Sequence, residues 1–300
     1  MTDLERRYRW LLKAYPRSYR EYRADEILEI VLAGADEKQR RPSVRESWAL
    51  VVGGLRARTG VDRLDARAAR SSTLRLCTLA LLIYGLTRWT ETPISWLAAL
   101  SSEHPYPILP WHVVMPTTLA IAILMTAWGR YRSAFGAMVV AVLTSLWEVK
   151  PWSSPGRAEY FWYGSDTLVW SLLLPLLALL PLLRAPRRAV TRPWIWPLLG
   201  VLAVAASTPN PINGWSDAPT MSLYAFALLA VVAAPIDARM PAVAFTLLLV
   251  PALTRATFHV LIVGKAPVLS ISGTPLLILV GLMAATLAAG MIAGRRQARV

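Results

Sequence analysis

Between Leu74 and Ile292 the chain carries one long apolar run after another, separated by shorter segments in which Arg, Pro and Trp concentrate. A backbone inside such a run must satisfy its own N–H and C=O groups, so the pattern predicts helices throughout and leaves no place for an alternating half-polar sheet. Charge sharpens the division. Of the 50 charged residues, 27 fall in the first 71 positions, and only 23 are spread over the remaining 229. With 55% hydrophobic residues in 300, two ordinary water-facing domains are not the expected product.

A hydrocarbon layer of ~30 Å takes about 20 apolar residues of helix. Eight stretches approach that length: 74–90, 110–128, 134–149, 166–183, 193–208, 220–235, 241–263 and 274–292. The expected fold class is therefore all-α, a polytopic transmembrane bundle of about eight spans behind a small N-terminal cytoplasmic three-helix domain. The expected boundaries are 1–71 for the module and its basic linker, 72–294 for the bundle, and 295–300 for a basic tail.

Basic residues sort by loop. Arg130, Arg132, Arg184, Arg187, Arg188, Arg192, Arg239, Arg295, Arg296 and Arg299 fall on one side of the expected layer, against Lys150, Arg157 and Lys265 on the other. Positively charged short loops stay on the cytoplasmic side, so the expected location is the plasma membrane, multi-pass, with both termini cytoplasmic. Trp89, Trp111, Trp128, Trp147, Trp194 and Trp196 stand at expected span ends, where an indole prefers the headgroup level. The external segments hold Trp152, Tyr160, Phe161, Trp162 and Tyr163, which suit either an interfacial belt or the mouth of a ligand pocket. Pro175, Pro181, Pro197, Pro251 and Pro275 lie within or at the ends of the runs, where each removes a backbone donor and can kink a helix.

The first 71 residues follow other rules. Leu4, Tyr8, Leu11, Leu12 and Tyr15 form one stripe of a 3.6-residue helix that Pro16 ends. A second helix is expected over 18–33, with Ala24, Ile27, Leu28 and Val31 inward and Gly34 as its stop. Ser43 and Glu46 have capping-box spacing for a third. Its expected inward stripe is Val44, Trp48, Val51, Val52 and Leu55, with Gly53 and Gly54 weakening its end. The expected module core is thus Leu4, Tyr8, Leu11, Leu12, Tyr15, Ile27, Val31, Trp48, Val52 and Leu55. So small a unit buries little surface and gains from a docking partner. The Arg-rich stretch Arg56, Arg58, Arg63, Arg67 and Arg70 reads as a helical linker lying on anionic lipid.

The run Leu11-Leu12-Lys13-Ala14-Tyr15-Pro16-Arg17, followed by Glu26-Ile27-Leu28, resembles the helical module known as HAAS or permease-prefix over about residues 3–58. That resemblance implies a cytoplasmic prefix to a membrane protein of transport or regulatory type, and it implies no catalytic residue.

Chemistry is sparse. Arg255 and His259 share a helix face at i and i+4 in the seventh run. Glu148, Asp166, Arg88 and Glu91 lie at a similar expected depth, giving a candidate polar cluster of Arg255, His259, Glu148, Asp166, Arg88 and Glu91. Two arrangements suit Arg255: an ion pair inside the bundle, or a side chain reaching outward to the headgroups. His104, His112 and His259 show no metal-ligand spacing, and Cys77 is the one cysteine. No Gly-rich nucleotide loop and no nucleophile elbow are present, so no cofactor is expected. The segment before Leu74 has no cleavable-leader pattern.

The net charge of +14 is spread along the chain, so no nucleic acid is expected as a direct partner. The expected partners are a lipid bilayer, anionic lipid at the Arg-rich linker and loops, and a cytoplasmic regulatory protein or a separate ATPase subunit. The favoured function is a non-enzymatic regulatory or sensory membrane protein whose module docks a partner. A permease component working with a separate energising subunit is the alternative.

Overall fold

The computed structural model describes residues 2–35, 39–59, 66–99, 111–149, 168–185, 195, 198–200, 202–203, 218–258 and 274–297. All secondary structure among them is helical. Helix α1 spans Asp3–Leu11 and runs into a 3-10 turn at Leu12–Ala14, followed by α2 at Arg17–Ala33 and α3 at Val44–Thr59. The larger part comprises α4 (Ala66–Ala99), α5 (Trp111–Ala127), α6 (Tyr131–Val149), α7 (Leu168–Leu182), α8 (Ala218–Ala233), α9 (Met240–Phe258) and α10 (Thr274–Gln297).

The module forms as its caps dictate. Thr2 accepts from the Glu5 amide at the start of α1 (3.2 Å), and Pro16, which cannot continue a helix, separates the 3-10 turn from α2. The capping box is reciprocal: the Glu46 amide donates to Ser43 Oγ (3.2 Å) and the Ser43 amide donates to Glu46 Oε2 (2.9 Å). Leu4, Tyr8, Leu12, Leu28 and Leu50 are buried together, with Leu11, Tyr15, Ile27 and Val31 packed around them.

The third helix is turned from its expected face. Trp48 is 59% and Val44 88% exposed, Val51, Val52 and Leu55 are half-buried, and the residues facing the module core are Glu46, Leu50 and Gly54. The glycines explain the rotation. A Cβ on Gly54 would sit 2.7 Å from Ala14 C and Cβ, so only a glycine admits the 3-10 turn against the backbone of α3. Gly53 and Gly54 are thus the contact point, not the end, of a helix that runs on to Thr59.

In the bundle α4 is the shared member. One face of it buries Leu79, Leu82 and Leu86 against Met115, Leu119 and Ile123 of α5, Met138 of α6 and Leu172 and Leu179 of α7. The other buries Cys77 and Leu81 against Tyr224 of α8, Leu247 and Leu248 of α9 and Leu279 of α10. Apolarity all round the helix has this cause: α4 has neighbours on both sides. Several buried hydroxyls donate within their own helices, as where Thr78 donates to Leu74 O (2.8 Å) and Thr254 to Val250 O (2.9 Å). Gly129 joins α5 to α6 at φ 74°, and its amide and that of Arg130 donate to Thr126 O and Met125 O, the glycine-closed helix end.

The expectation of eight spans is overturned. Among the described residues no helix is long and apolar enough to cross a membrane. In α4 to α9 charge and length account for this. The apolar run of α4 is bounded by Arg75 and Arg88, twelve residues or about 18 Å of helix against the ~30 Å required. That of α6 is bounded by Arg132 and Glu148, and that of α9 by Arg239 and Arg255. Helix α5 has 17 residues, α8 has 16, and α7 has 15 with Pro175 and Pro181 inside. Most of the expected fifth span lies outside the described residues. The polytopic transmembrane fold class and the multi-pass plasma-membrane location with both termini cytoplasmic are corrected accordingly: the chain is an all-helical bundle without such a helix among its described residues.

The outer faces of that bundle remain apolar. Leu143, Trp147, Leu177, Leu229, Val232 and Leu277 are each more than half exposed.

Candidate functional site

Two connections tie the module and the start of α4 to one short turn, Ala234–Arg239, between α8 and α9. From the module, Arg56 of α3 directs Nε (3.2 Å) and Nη2 (2.7 Å) at Pro235 O. This carbonyl lies just beyond the C-terminus of α8, where helical carbonyls run out of amide donors and the helix dipole favours a cation. Beside it, Arg239 Nε and Nη2 grip both oxygens of Asp237 at 2.7–3.2 Å, and the Arg239 amide donates to Oδ1 (2.9 Å). Arg239 Nη1 donates to Ser72 Oγ on α4 (2.7 Å). The two charged side chains are 15% and 9% exposed. A buried pair with a two-pronged grip and a third partner fixes geometry more than it adds stability.

Arg56 also borders a cavity of about 180 Å³ between α3, α8 and α10, otherwise lined by Val231, Ala234, Pro235, Ala238, Ala289, Ile292 and Ala293. A second hollow of about 290 Å³ lies on the module between Trp10, Leu11, Lys13, Ala14 and Val51. Trp10 is 67% exposed there, and Arg58 holds the rim by donating to Lys13 O (2.8 Å).

Inside the module Glu46 Oε2 accepts from Tyr8 Oη (2.7 Å) and Gln39 Nε2 (3.2 Å) as well as from the Ser43 amide. The Tyr8 hydrogen bond and the Ser43 amide hold the Glu46 carboxyl below its usual range. Burial, together with that carboxylate, pushes the Tyr8 phenol up to about 12. Burial likewise raises the Cys77 thiol, which keeps it protonated and unreactive.

The expected polar cluster is not assembled from described atoms. Arg255, Glu148 and Glu91 lie in α9, α6 and α4 with their side chains outside the described residues, and His259 and Asp166 lie wholly outside them. The Arg88 side chain is half-buried on α4. Helix α6 packs on α5 and α7, whereas α9 packs on α4, α7, α8 and α10, so the cluster's helices belong to two sides of the bundle. The aromatic group Trp152 and Tyr160–Tyr163, His104 and Arg63 also fall outside the described residues. Arg56 and Arg58 belong to α3 rather than to a linker. Among the described residues no group of three or more His, Cys, Asp or Glu is placed to hold a metal.

The joint itself was not foreseen from the sequence. Its signal is Asp237, the last acidic residue of the chain, two positions before Arg239 in an otherwise apolar region.

No family model, no curated protein and no solved structure matches this chain.

Proposed function

We propose that the chain is a non-catalytic protein of regulatory or sensory type. In this reading the three-helix module docks a partner protein, and the bundle answers through the shared turn at Ala234–Arg239. The observation that carries it is the module's outer face. Trp10, 67% exposed, borders the hollow with Lys13 and Val51, Trp48, 59% exposed, stands three residues before Val51 on α3, and large exposed aromatics at a concave site are the usual anchors of protein recognition. Lys13 and Arg58 on the rim favour a partner whose apolar anchor is bordered by acidic groups. The prefix-like sequence of residues 3–58 agrees with such a role.

For the bundle, the exposed leucines, valines and tryptophan of its outer faces favour lipid hydrocarbon as the medium that touches them. The proposal concerns contact along the sides of the bundle.

Site-specific photo-crosslinking from position 48 of the full chain in cells tests the docking. One protein species should be captured, and Trp10→Asp should abolish its capture while leaving the melting temperature unchanged. Capture that is equally strong with Trp10→Asp, or of no defined species, refutes the docking face. Flotation of the full chain with lipid vesicles tests the lipid contact, and a chain that stays in the aqueous fraction refutes it.

A further inference from the structure

We propose that the open hollow at the α5–α6 turn is a binding site for the phosphoryl headgroup of an anionic phospholipid, whose acyl chains lie against exposed apolar stripes of α6 and α7. The inference rests on the lipid contact proposed above and adds to it an orientation and a charge.

The hollow measures about 600 Å³ and lies between Gly129–Ser133 and the residues that follow α7, Leu183 and Ala185. Arg130 and Arg132 stand in its lining with exposed side chains, and Arg184, also exposed, stands between Leu183 and Ala185. Among the described residues no hydrogen bond or ion pair holds these three guanidiniums. Arg75 of α4 brings a further cation to the same end of the bundle, with Nη1 3.5 Å from Tyr131 Oη. The two stretches of chain that build the hollow, 104–147 and 167–216, contain neither Asp nor Glu. Beyond Ala185, outside the described residues, the sequence holds Arg187, Arg188 and Arg192 and no acid before Asp217. Every charge these stretches supply is positive.

Positive charge alone suits any anion, and the neighbouring apolar surface narrows the class. The exposed residues of α6 run from Arg132 and Ser133 through Gly136 and Val140 to Leu143, and those of α7 run back from Arg184 through Leu180 to Leu177. Steps of three and four keep each series on one helix face. Both stripes therefore end in arginine at the same end of the bundle, and Trp128, 47% exposed, immediately precedes Gly129 of the hollow. Cations, then an indole, then hydrocarbon is the order in which a phospholipid monolayer presents its phosphate, its interface and its acyl chains. From Arg132 to Leu143 the helix rises about 16 Å, close to the ~15 Å hydrocarbon depth of one leaflet. Guanidinium forks pair with phosphate oxygens two at a time, and Ser133 adds a hydroxyl. A soluble phosphate ester would use the arginines and leave the stripes in water, so the lipid is the occupant that satisfies both.

Flotation of the full chain with vesicles of phosphatidylcholine and, separately, of phosphatidylglycerol tests the site. Partitioning should be about tenfold stronger into the anionic vesicles, and the difference should shrink as salt is added. Arg130→Gln with Arg132→Gln should weaken binding to phosphatidylglycerol by about twentyfold and leave binding to phosphatidylcholine unchanged. The matched loss of charge from the module, Arg7→Gln with Arg45→Gln, should weaken it by less than about twofold. All four positions are exposed, and an unchanged melting temperature shows that each variant is folded. A chain that floats with neither vesicle overturns the lipid contact and this site with it. Equal flotation with both vesicles, or equal losses in the two double variants, overturns the site alone. Release from phosphatidylglycerol by an equal concentration of glycerol 3-phosphate would assign the hollow to a soluble ester and overturn the lipid as its occupant.

Discussion

In the module the buried set is Leu4, Tyr8, Leu12, Leu28 and Leu50, and one carboxylate, Glu46, gathers donors from Tyr8, Gln39 and Ser43. In the bundle α4 alone buries Cys77, Leu79, Leu81, Leu82 and Leu86 in two separate cores, and its Thr78 and Thr90 hydroxyls donate within their own helix. The small unit offsets a thin apolar core with a directional polar tie. The large one rests on apolar burial, and a buried ion pair, Asp237 with Arg239, sits in the turn that the module's Arg56 reaches.

That contrast is broken most severely at the buried pair. Arg239→Leu would leave the Asp237 carboxylate almost enclosed and without its cation, and removal of one partner of a buried pair costs about 3–5 kcal/mol. The midpoint of denaturant unfolding should fall accordingly. Replacing both residues, Asp237→Leu with Arg239→Leu, should recover a large part of the loss, and a double variant no better than the single one would show that the pair acts through packing alone.

Leu82→Ala ranks next. Leu82 is fully enclosed in the core of α4, α5 and α7, and truncation of such a leucine costs about 3 kcal/mol through lost burial and the residual cavity. If the two regions are as distinct as their chemistry suggests, this loss should leave hydrogen exchange in α1–α3 unchanged. Faster exchange at Leu12 and Leu50 would show one cooperative unit instead.

Gly54→Ala attacks the module where it has least room. The added methyl would meet Ala14 C and Cβ at 2.7 Å, and these are backbone and a short side chain that cannot swing aside. The helices must part, at a cost of about 2 kcal/mol. The unfolding midpoint of the module should drop, while exchange in the bundle stays slow.

The legibility of the chain follows the same division. Helix-stop and capping signals are local, so Pro16, Ser43 and Glu46 could be read directly and are seen doing what their types predict. The face of α3 could not be read. Val44, Trp48, Val51, Val52 and Leu55 give a good apolar stripe, yet close approach at Gly54 decides the rotation, and that depends on where Ala14 lies in space. The apolar runs within the described residues announced helices but not their lengths or partners: Arg75 and Arg88 bracket the α4 run, and long-range packing on both its faces explains its composition. The joint was hidden because Arg56 meets a backbone carbonyl 179 positions away, and no side-chain pattern encodes a bare carbonyl.

The smallest effect tests the polar tie itself. Tyr8→Phe removes the phenol that donates to Glu46 Oε2 and leaves the carboxylate with Ser43 and Gln39, so the loss should be about 1 kcal/mol. The pH dependence carries more information than the magnitude. Because the Glu46 carboxyl is held below its ordinary 4.5, the folded form binds fewer protons than the unfolded form in that range. Its contribution is complete above pH 4.5 and is lost as pH falls through the lowered value. At the alkaline end the sign reverses. The Tyr8 phenol is raised from 10.0 to about 12, so its contribution is complete below pH 10 and disappears as pH rises through about 12. Tyr8→Phe should shrink the alkaline limb to the part due to Tyr15, whose phenol burial also raises, and shrink the acid one, whose remainder belongs to Ser43 and Gln39. Circular dichroism melts from pH 3 to 12 would show this, and an alkaline limb of undiminished size in Tyr8→Phe would assign the tie to a different residue.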